Sequence, residues 1–151
     1  MADAETFDEI KSALASDDDR ETKSARIAKT IRGSRDYRWV GIYEIDGEAI
    51  AAIAWTGQDV PAFPRFPKTK GLCGAAILAG KTIAVGDVTK DPRYLTTFGS
   101  TRSEIVVPIF EPASKTVIGL VDIESEQLNN FQDADRIFLE SCATALARLW
   151  E

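Results

Sequence analysis

The residues best suited to chemistry are three carboxylates in one short stretch, Glu104, Asp122 and Glu124 (the acidic cluster). Glu104 begins one apolar run rich in β-branched residues, and the two others end a second such run. A polar segment (residues 111–116) joins the runs, a pattern typical of a buried antiparallel hairpin. If the turn is centred near residues 113–114, Glu104 lies across from the region of Asp122 and Glu124. A buried carboxylate is costly unless it is paired, hydrogen-bonded, or able to reach solvent or a ligand. The acidic cluster is therefore the main functional clue, and the alternative is that these acids only satisfy backbone amides where the strand ends.

Candidate nucleophiles are few, because the chain has no histidine and only two cysteines, Cys73 and Cys142. The absence of histidine excludes Ser/His/Asp and Cys/His catalysis and histidine-ligated metal sites. Two cysteines are too few for a disulfide framework. Cys142 lies in a helical pattern and is predicted to be a core residue. Cys73 lies in a Gly-Leu-Cys-Gly turn, which predicts exposure and leaves a structural and a reactive role open. We predict no metal site and no cofactor.

Composition bounds the class of protein. The chain of 151 residues, 44% hydrophobic and 28% charged, predicts one globular domain over residues 1–151. A net charge of −6 argues against binding to nucleic acid or to an anionic membrane. The apolar runs are too short to span a bilayer, and residues 1–19 do not resemble a signal peptide, so we expect a cytoplasmic location.

The elements that must position the acidic cluster follow from hydrophobic periodicity. Helices are predicted over residues 4–15, from about 20 to 32, over 75–79 (ended by Gly80) and from Asp133 onward. Strands are predicted over 39–45, 48–56 and 82–85 besides the hairpin, with an irregular loop at 57–70. Residues 94–102, which include Tyr94, Phe98 and Gly99, are predicted to form a second loop over the sheet. These elements predict an α+β fold with a mostly antiparallel sheet.

The periodicity also assigns faces. On the second strand of the hairpin, alternation predicts that Ile118, Leu120, Asp122 and Glu124 share one face. The predicted buried positions of the helices are Phe7, Ile10 and Leu14; then Ala25, Ile27, Ala28 and Ile31; and then Ile137, Phe138, Cys142, Ala145, Leu146 and Leu149. The apolar face of the first helix is narrow, which favours packing on a second copy as a symmetric homodimer. Deleting residues 1–16 should then weaken the dimer.

The order of the motifs resembles the GAF domain, a small-molecule sensor fold, and most narrowly its free methionine-(R)-sulfoxide reductase branch. The resemblance runs from about residue 37 to the C-terminus, and its motifs are specific in combination. They are Arg38-Trp-Val-Gly-Ile-Tyr43, Lys70-Gly-Leu-Cys-Gly74, Ile83-Ala-Val-Gly-Asp-Val88, Ser103-Glu-Ile-Val-Val-Pro108, Ile118-Gly-Leu-Val-Asp-Ile-Glu-Ser125, and Phe131 with Asp135. To the N-terminal helices (1–34) that the periodicity predicts, the resemblance adds a core domain (37–151). It also implies terminal helices on one face of the sheet and loops forming a ligand pocket on the other.

The resemblance also implies a ligand site made of five residues, Trp39, Tyr43, Glu104, Asp122 and Glu124. In the reductase branch, acids at these positions hold the ammonium group of a free amino acid and activate the sulfoxide, while aromatics pack on its methyl group. Glu124 stands where the branch more often has aspartate. Without the resemblance, Trp39 and Tyr43 would be interpreted as core aromatics.

The cysteines of that branch are mostly missing here. Thr97 occupies the position of the attacking cysteine and Phe63 that of a partner cysteine, so Cys73 alone remains. Reduction of a sulfoxide by thiols needs a thiolate and a second thiol to resolve the product, and a threonine hydroxyl cannot pass through those oxidation states. We therefore expect the pocket to be retained and the reductase chemistry to be lost.

The sequence leaves three functions open. The first is a GAF-like binding and sensor domain in signal transduction, which takes a free amino acid or similar amine without turnover. The second is a reductase-like enzyme that uses Cys73 with an external thiol. The third is a structural dimer with an empty pocket. We lean against an enzyme.

Overall fold

A six-stranded antiparallel sheet, in the order β3-β2-β1-β6-β5-β4, separates two layers of side chains. The computed structural model describes residues 3–151, so residues 1 and 2 of the predicted N-terminal helical region lie outside the described residues. The strands are β1 (Trp39–Asp46), β2 (Ala49–Thr56), β3 (Arg65–Pro67), β4 (Ile83–Val85), β5 (Ser103–Phe110) and β6 (Val117–Ser125). The helices are α1 (Asp3–Ala15), α2 (Arg20–Ser34), α3 (Gly71–Ala79) and α4 (Asp133–Leu146), with short 3₁₀ turns at Val88–Lys90 and Ala147–Trp150. The α+β prediction is confirmed.

The hairpin of β5 and β6 lies between β1 and the edge strand β4 in the sheet. Its register places Ser103 opposite Ser125 and Glu104 opposite Glu124. A bulge near the turn inserts Ile118, so the pairing passes from Gly119 directly to Val117. Ile118 therefore packs with the helix layer, and the prediction that it shares a face with Leu120 is wrong, because the extra residue shifts the alternation.

The first layer consists of α1, α2 and α4, packed on one face of the sheet. Asp19 begins α2, since its Oδ1 accepts a hydrogen bond of 2.8 Å from the backbone N–H of Thr22. Most of the predicted buried positions are correct. Two are wrong: Ala25 is exposed while Ser24 is buried, and Ile137 is 57% exposed. In both helices the buried face is rotated slightly about the helix axis from the predicted one, and periodicity alone does not determine this rotation.

The apolar stripe of α1 is used within the chain itself. Ile10 and Leu14 are buried in the core of the helix layer, and Phe7 packs against it. The feature that motivated the homodimer is therefore already covered.

The opposite face of the sheet carries α3 and two covering loops (residues 57–64 and 94–102). The predicted loop over 57–70 contains the short edge strand β3, which pairs with β2. The Gly-Leu-Cys-Gly segment is the first turn of α3, although the sequence predicted a turn before the helix. Gly80 ends α3 with a φ of 64°, as predicted. None of the helices within residues 3–151 has the length and apolar character needed to cross a membrane.

Candidate functional site

The five predicted ligand-binding residues meet on the face of the sheet that carries α3. Glu104 pairs with Glu124 across the hairpin, and β1 places Trp39 opposite Glu124 and Tyr43 opposite Leu120, two residues from Asp122. All five are buried, with Glu104, Asp122 and Glu124 exposing only 5%, 4% and 0% of their surface. The Trp39 and Tyr43 rings lie 6.5 Å apart, centre to centre. The hairpin thus places the acids beside an aromatic wall.

The hydrogen bonds of the acidic cluster leave two oxygens unused. Oε1 of Glu124 accepts hydrogen bonds from the hydroxyl groups of Thr101 (3.0 Å) and Tyr94 (3.3 Å). The Glu104 carboxyl donates to Asp122, the only such bond between two of the acids in residues 3–151. Asp122 Oδ1 and Glu124 Oε2 are buried with no hydrogen-bond partner in that part of the chain. No ion pair within the described residues includes any of the three acids.

Burial raises the pKa of every acid in the cluster, and the charge of neighbouring carboxylates raises it further at Glu104 and Glu124. Burial is the larger cause at Glu104, followed by the charges of Asp122 and Glu124, and it holds this pKa well above its usual range. Burial raises the pKa of Asp122 to about 6, against the opposing effect of the hydrogen bond from Glu104. Burial and then the charge of Asp122 raise the pKa of Glu124 to about 8. The repulsion that we expected is present, but it is second to desolvation.

The position of Cys73 differs from the one predicted from the sequence. It is 4% exposed, because the first turn of α3 directs it toward the sheet, so the predicted exposure is wrong. Its Sγ and one oxygen each of Glu104 and Asp122 all lie within 4.8 Å of one another. Burial, then the charges of Asp122 and Glu104, raise the pKa of this thiol well above its usual range. The thiol is therefore protonated and a weak nucleophile at neutral pH.

Cys142 and the two positions where the resemblance expects cysteines lie elsewhere. Cys142 is buried in the helix layer, and burial raises the pKa of its thiol to about 12. Thr97 lies in the 94–102 loop, where its hydroxyl group is 3.4 Å from the carbonyl oxygen of Leu95. Phe63 is exposed in the 57–64 loop. Cys73 is thus the thiol that reaches the acidic cluster.

Two neighbouring residues at the start of β1 hold both covering loops in place. The indole N–H of Trp39 donates to the carbonyl oxygen of Asp59 (3.1 Å) in the first loop. The guanidinium of Arg38 donates to Ser100 (3.1 Å) in the second loop, contacts the Asp59 carboxylate at 3.5 Å and pairs with Glu126. Since the acids beneath are shut off from solvent, a ligand must enter by displacing at least one loop.

Several of these contacts were not predicted from the sequence. Tyr94, Thr101 and Phe98 lie in a loop with no periodicity, and Arg38 was singled out only as part of a motif. Phe98 packs edge-on against Trp39, with ring centres 5.2 Å apart. In a loop, the spacing of residues along the sequence does not indicate which side chains reach a site on the sheet.

A surface cavity of about 690 Å³ lies beside α3, with Lys68, Lys70, Leu78 and Arg93 among its lining residues. It includes none of the five predicted ligand-binding residues. The cavity is therefore separate from the acidic cluster.

Comparisons with known proteins agree with this architecture. The family model for the GAF domain matches residues 19–149. GAF domain-containing protein A of Dictyostelium discoideum is 30% identical over 131 residues, which is 87% of this chain and 81% of that protein. The free methionine-R-sulfoxide reductase of Saccharomyces cerevisiae is 36% identical over 109 residues, 72% of this chain and 60% of that protein.

Solved structures show the same likeness. The free methionine-R-sulfoxide reductase of Neisseria meningitidis, solved in complex with its substrate, is 31% identical with a TM-score of 0.87, over 98% of this chain and 87% of that chain. Together with the family model, this likeness shows that the chain belongs to the GAF domain family.

Proposed function

We propose that the chain is a GAF-type sensor domain whose acidic cluster binds a free amino acid or a similar small amine, without turnover. The observation that carries this proposal is a pair of buried carboxylate oxygens, on Asp122 and Glu124, that no donor satisfies within residues 3–151. Buried carboxylates of this kind are stabilised by a cation that also donates hydrogen bonds, and an ammonium group does both.

The aromatic wall adds a preference for the rest of the ligand. Trp39 and Tyr43 line the same layer as the acids, together with Leu72, Val106 and Leu120. An apolar side chain of a few atoms can pack there while the ammonium group meets the carboxylates. The relatives named for acting on free methionine-R-sulfoxide make methionine and its sulfoxides the first candidates.

The absence of turnover follows from the thiols. Cys73 is protonated and enclosed, and Thr97 and Phe63 stand where the resemblance expects its partners. A sulfenic acid formed on Cys73 would have no second thiol nearby, since Cys142 lies in the other layer. A location in the cytoplasm and a role in signal transduction stay predictions from the sequence.

One observation favours the alternative of a reductase-like enzyme. Cys73 Sγ lies within 4.8 Å of oxygens of Glu104 and Asp122, close enough to meet the same ligand. If an external thiol resolved the product, Cys73 would be the attacking residue.

Two measurements on the intact protein separate these functions. Calorimetric titration with free methionine, its two sulfoxides and other small amino acids should give saturable binding that is lost in Asp122→Asn. A coupled assay with thioredoxin and NADPH should show negligible reduction of free methionine-(R)-sulfoxide. Turnover that disappears on Cys73→Ser would establish the enzyme instead, and absence of binding by every amine tested would contradict both.

A further inference from the structure

Two acids of the proposed amine site, Glu104 and Asp122, form with Cys73 a set of donors that has a different chemistry. Their Sγ and carboxylate oxygen atoms all lie within 4.8 Å of one another, and all three residues are buried. Zinc ligands at about 2.0–2.3 Å in a tetrahedral site are separated by about 3.3–3.8 Å. The three atoms therefore need to approach by only about 1 Å, which side-chain rotation can supply.

A second observation points into the same space. Asp122 Oδ1 is buried with no hydrogen-bond partner among residues 3–151. A thiolate with two carboxylates suits a borderline-soft divalent ion more than Mg²⁺ or Ca²⁺, which prefer all-oxygen sites.

We propose that Cys73, Glu104 and Asp122 bind one Zn²⁺ ion, with water in the fourth position. This inference goes beyond the proposed function and replaces our sequence-based prediction of no metal site. It arises because the first turn of α3 brings the thiol to the acids, an arrangement that the sequence did not reveal. Zn²⁺ and an amine ligand would compete for Asp122.

The test uses chelator-treated, full-length protein and two probes. Titration with Zn²⁺ should give one ion per chain. Titration with Co²⁺ should give the thiolate-to-cobalt charge-transfer absorption that marks a bound cysteine. Because the chain has only two cysteines, the Cys142→Ser variant leaves Cys73 as the sole thiol, and it should keep both the stoichiometry and the absorption.

Cys73→Ser should lose the absorption and bind Zn²⁺ at least about tenfold more weakly. If that variant does not fold, the Cys142→Ser spectrum alone decides. No Zn²⁺ binding by the intact protein, or Co²⁺ binding without the thiolate absorption in Cys142→Ser, would overturn the proposal. Amine binding is measured separately in chelator, so failure of the metal site leaves the proposed function standing.

Discussion

A substitution at Asp122 tests whether the acidic cluster binds a ligand or only stabilises the fold. No backbone N–H within residues 3–151 donates to the carboxylate oxygens of the acidic cluster, so these acids do not cap the strand end. We expect Asp122→Asn to abolish amine binding and to leave the free energy of unfolding of the ligand-free protein equal or higher, because one like charge is removed. Thermal and urea unfolding, with calorimetric titration, measure both effects.

A surface control for this change is Asp46→Asn, which removes an exposed carboxylate that pairs with Arg65. That variant should bind like the parent protein. If Asp122→Asn instead lowers the stability of the ligand-free protein by about 1–3 kcal/mol and binding is unchanged, the carboxylate is structural.

Glu124 should make the stability of the ligand-free protein fall as the pH rises. Its pKa is about 8 in the folded chain, above the ordinary value of 4.5, chiefly because of burial. The stabilisation from its protonated form is fully present below the unfolded pKa and is lost as the pH rises through about 8. Relative to the parent, Glu124→Gln should therefore gain stability steadily between about pH 5 and pH 8, and the difference should level off by about pH 9.

Urea unfolding across that pH range, in chelator and without amine, measures the difference. Glu140→Gln is a suitable control, since this half-exposed carboxylate pairs with Arg136 on α4. A difference between Glu124→Gln and the parent that does not vary with pH would show that Glu124 does not titrate as described.

At the scale of the elements, Arg38 bridges the two covering loops that lie over the acidic cluster. Its guanidinium joins Ser100 in one loop to Asp59 in the other and lies over the ring of Phe98. Arg38→Met keeps the apolar stem but removes these bonds. Hydrogen exchange in residues 57–64 and 94–102 should then rise about tenfold, since partly buried bonds to a charged group contribute about 1–2 kcal/mol. Ligand association and dissociation should both become faster.

Arg93→Met is the matched control, because among residues 3–151 its guanidinium bonds only to Asp91 in the same turn. Exchange in the covering loops should not change in that variant. Equal exchange in Arg38→Met and the parent would mean that the loops close without Arg38.

The sequence predicted helices and strands well where composition and hydrophobic periodicity indicated the same element. The β5–β6 hairpin has β-branched runs, a polar turn and alternation, and these placed Glu104 across from the region of Asp122 and Glu124, where the structure pairs it with Glu124. The bulge at Ile118 was missed because an inserted residue leaves no mark in composition. The first turn of α3 was missed because its two glycines are typical of a turn, and with it the burial of Cys73.

At the scale of the whole molecule, the sequence predicted which residues face the acidic cluster from the sheet and that the 94–102 loop lies over the sheet, but not which loop side chains contact the acids. The family resemblance alone assigned Trp39 and Tyr43 to this site. Contacts from Tyr94 and Thr101 to Glu124 depend on the path of a loop, and no local pattern determines that path.

The predicted homodimer needs a surface other than the apolar stripe of α1. Deleting residues 1–16 is no longer a clean test, because it would remove Ile10 and Leu14 from the core. The covering loops must open for a ligand, so the helix layer is the face that a second copy can cover without blocking entry. On that layer Ile137 is 57% exposed, whereas Leu78 on α3, across the sheet, is 91% exposed.

We therefore expect light scattering at high concentration to give twice the 16.5 kDa mass of one chain. Ile137→Glu should shift this mass toward that of the monomer, since it places a charge within the covered face, while Leu78→Glu should leave it unchanged. A monomeric mass for the intact chain would contradict the dimer. A loss of dimer in Leu78→Glu alone would place the interface on the side of α3, where it would restrict the loops that admit the ligand.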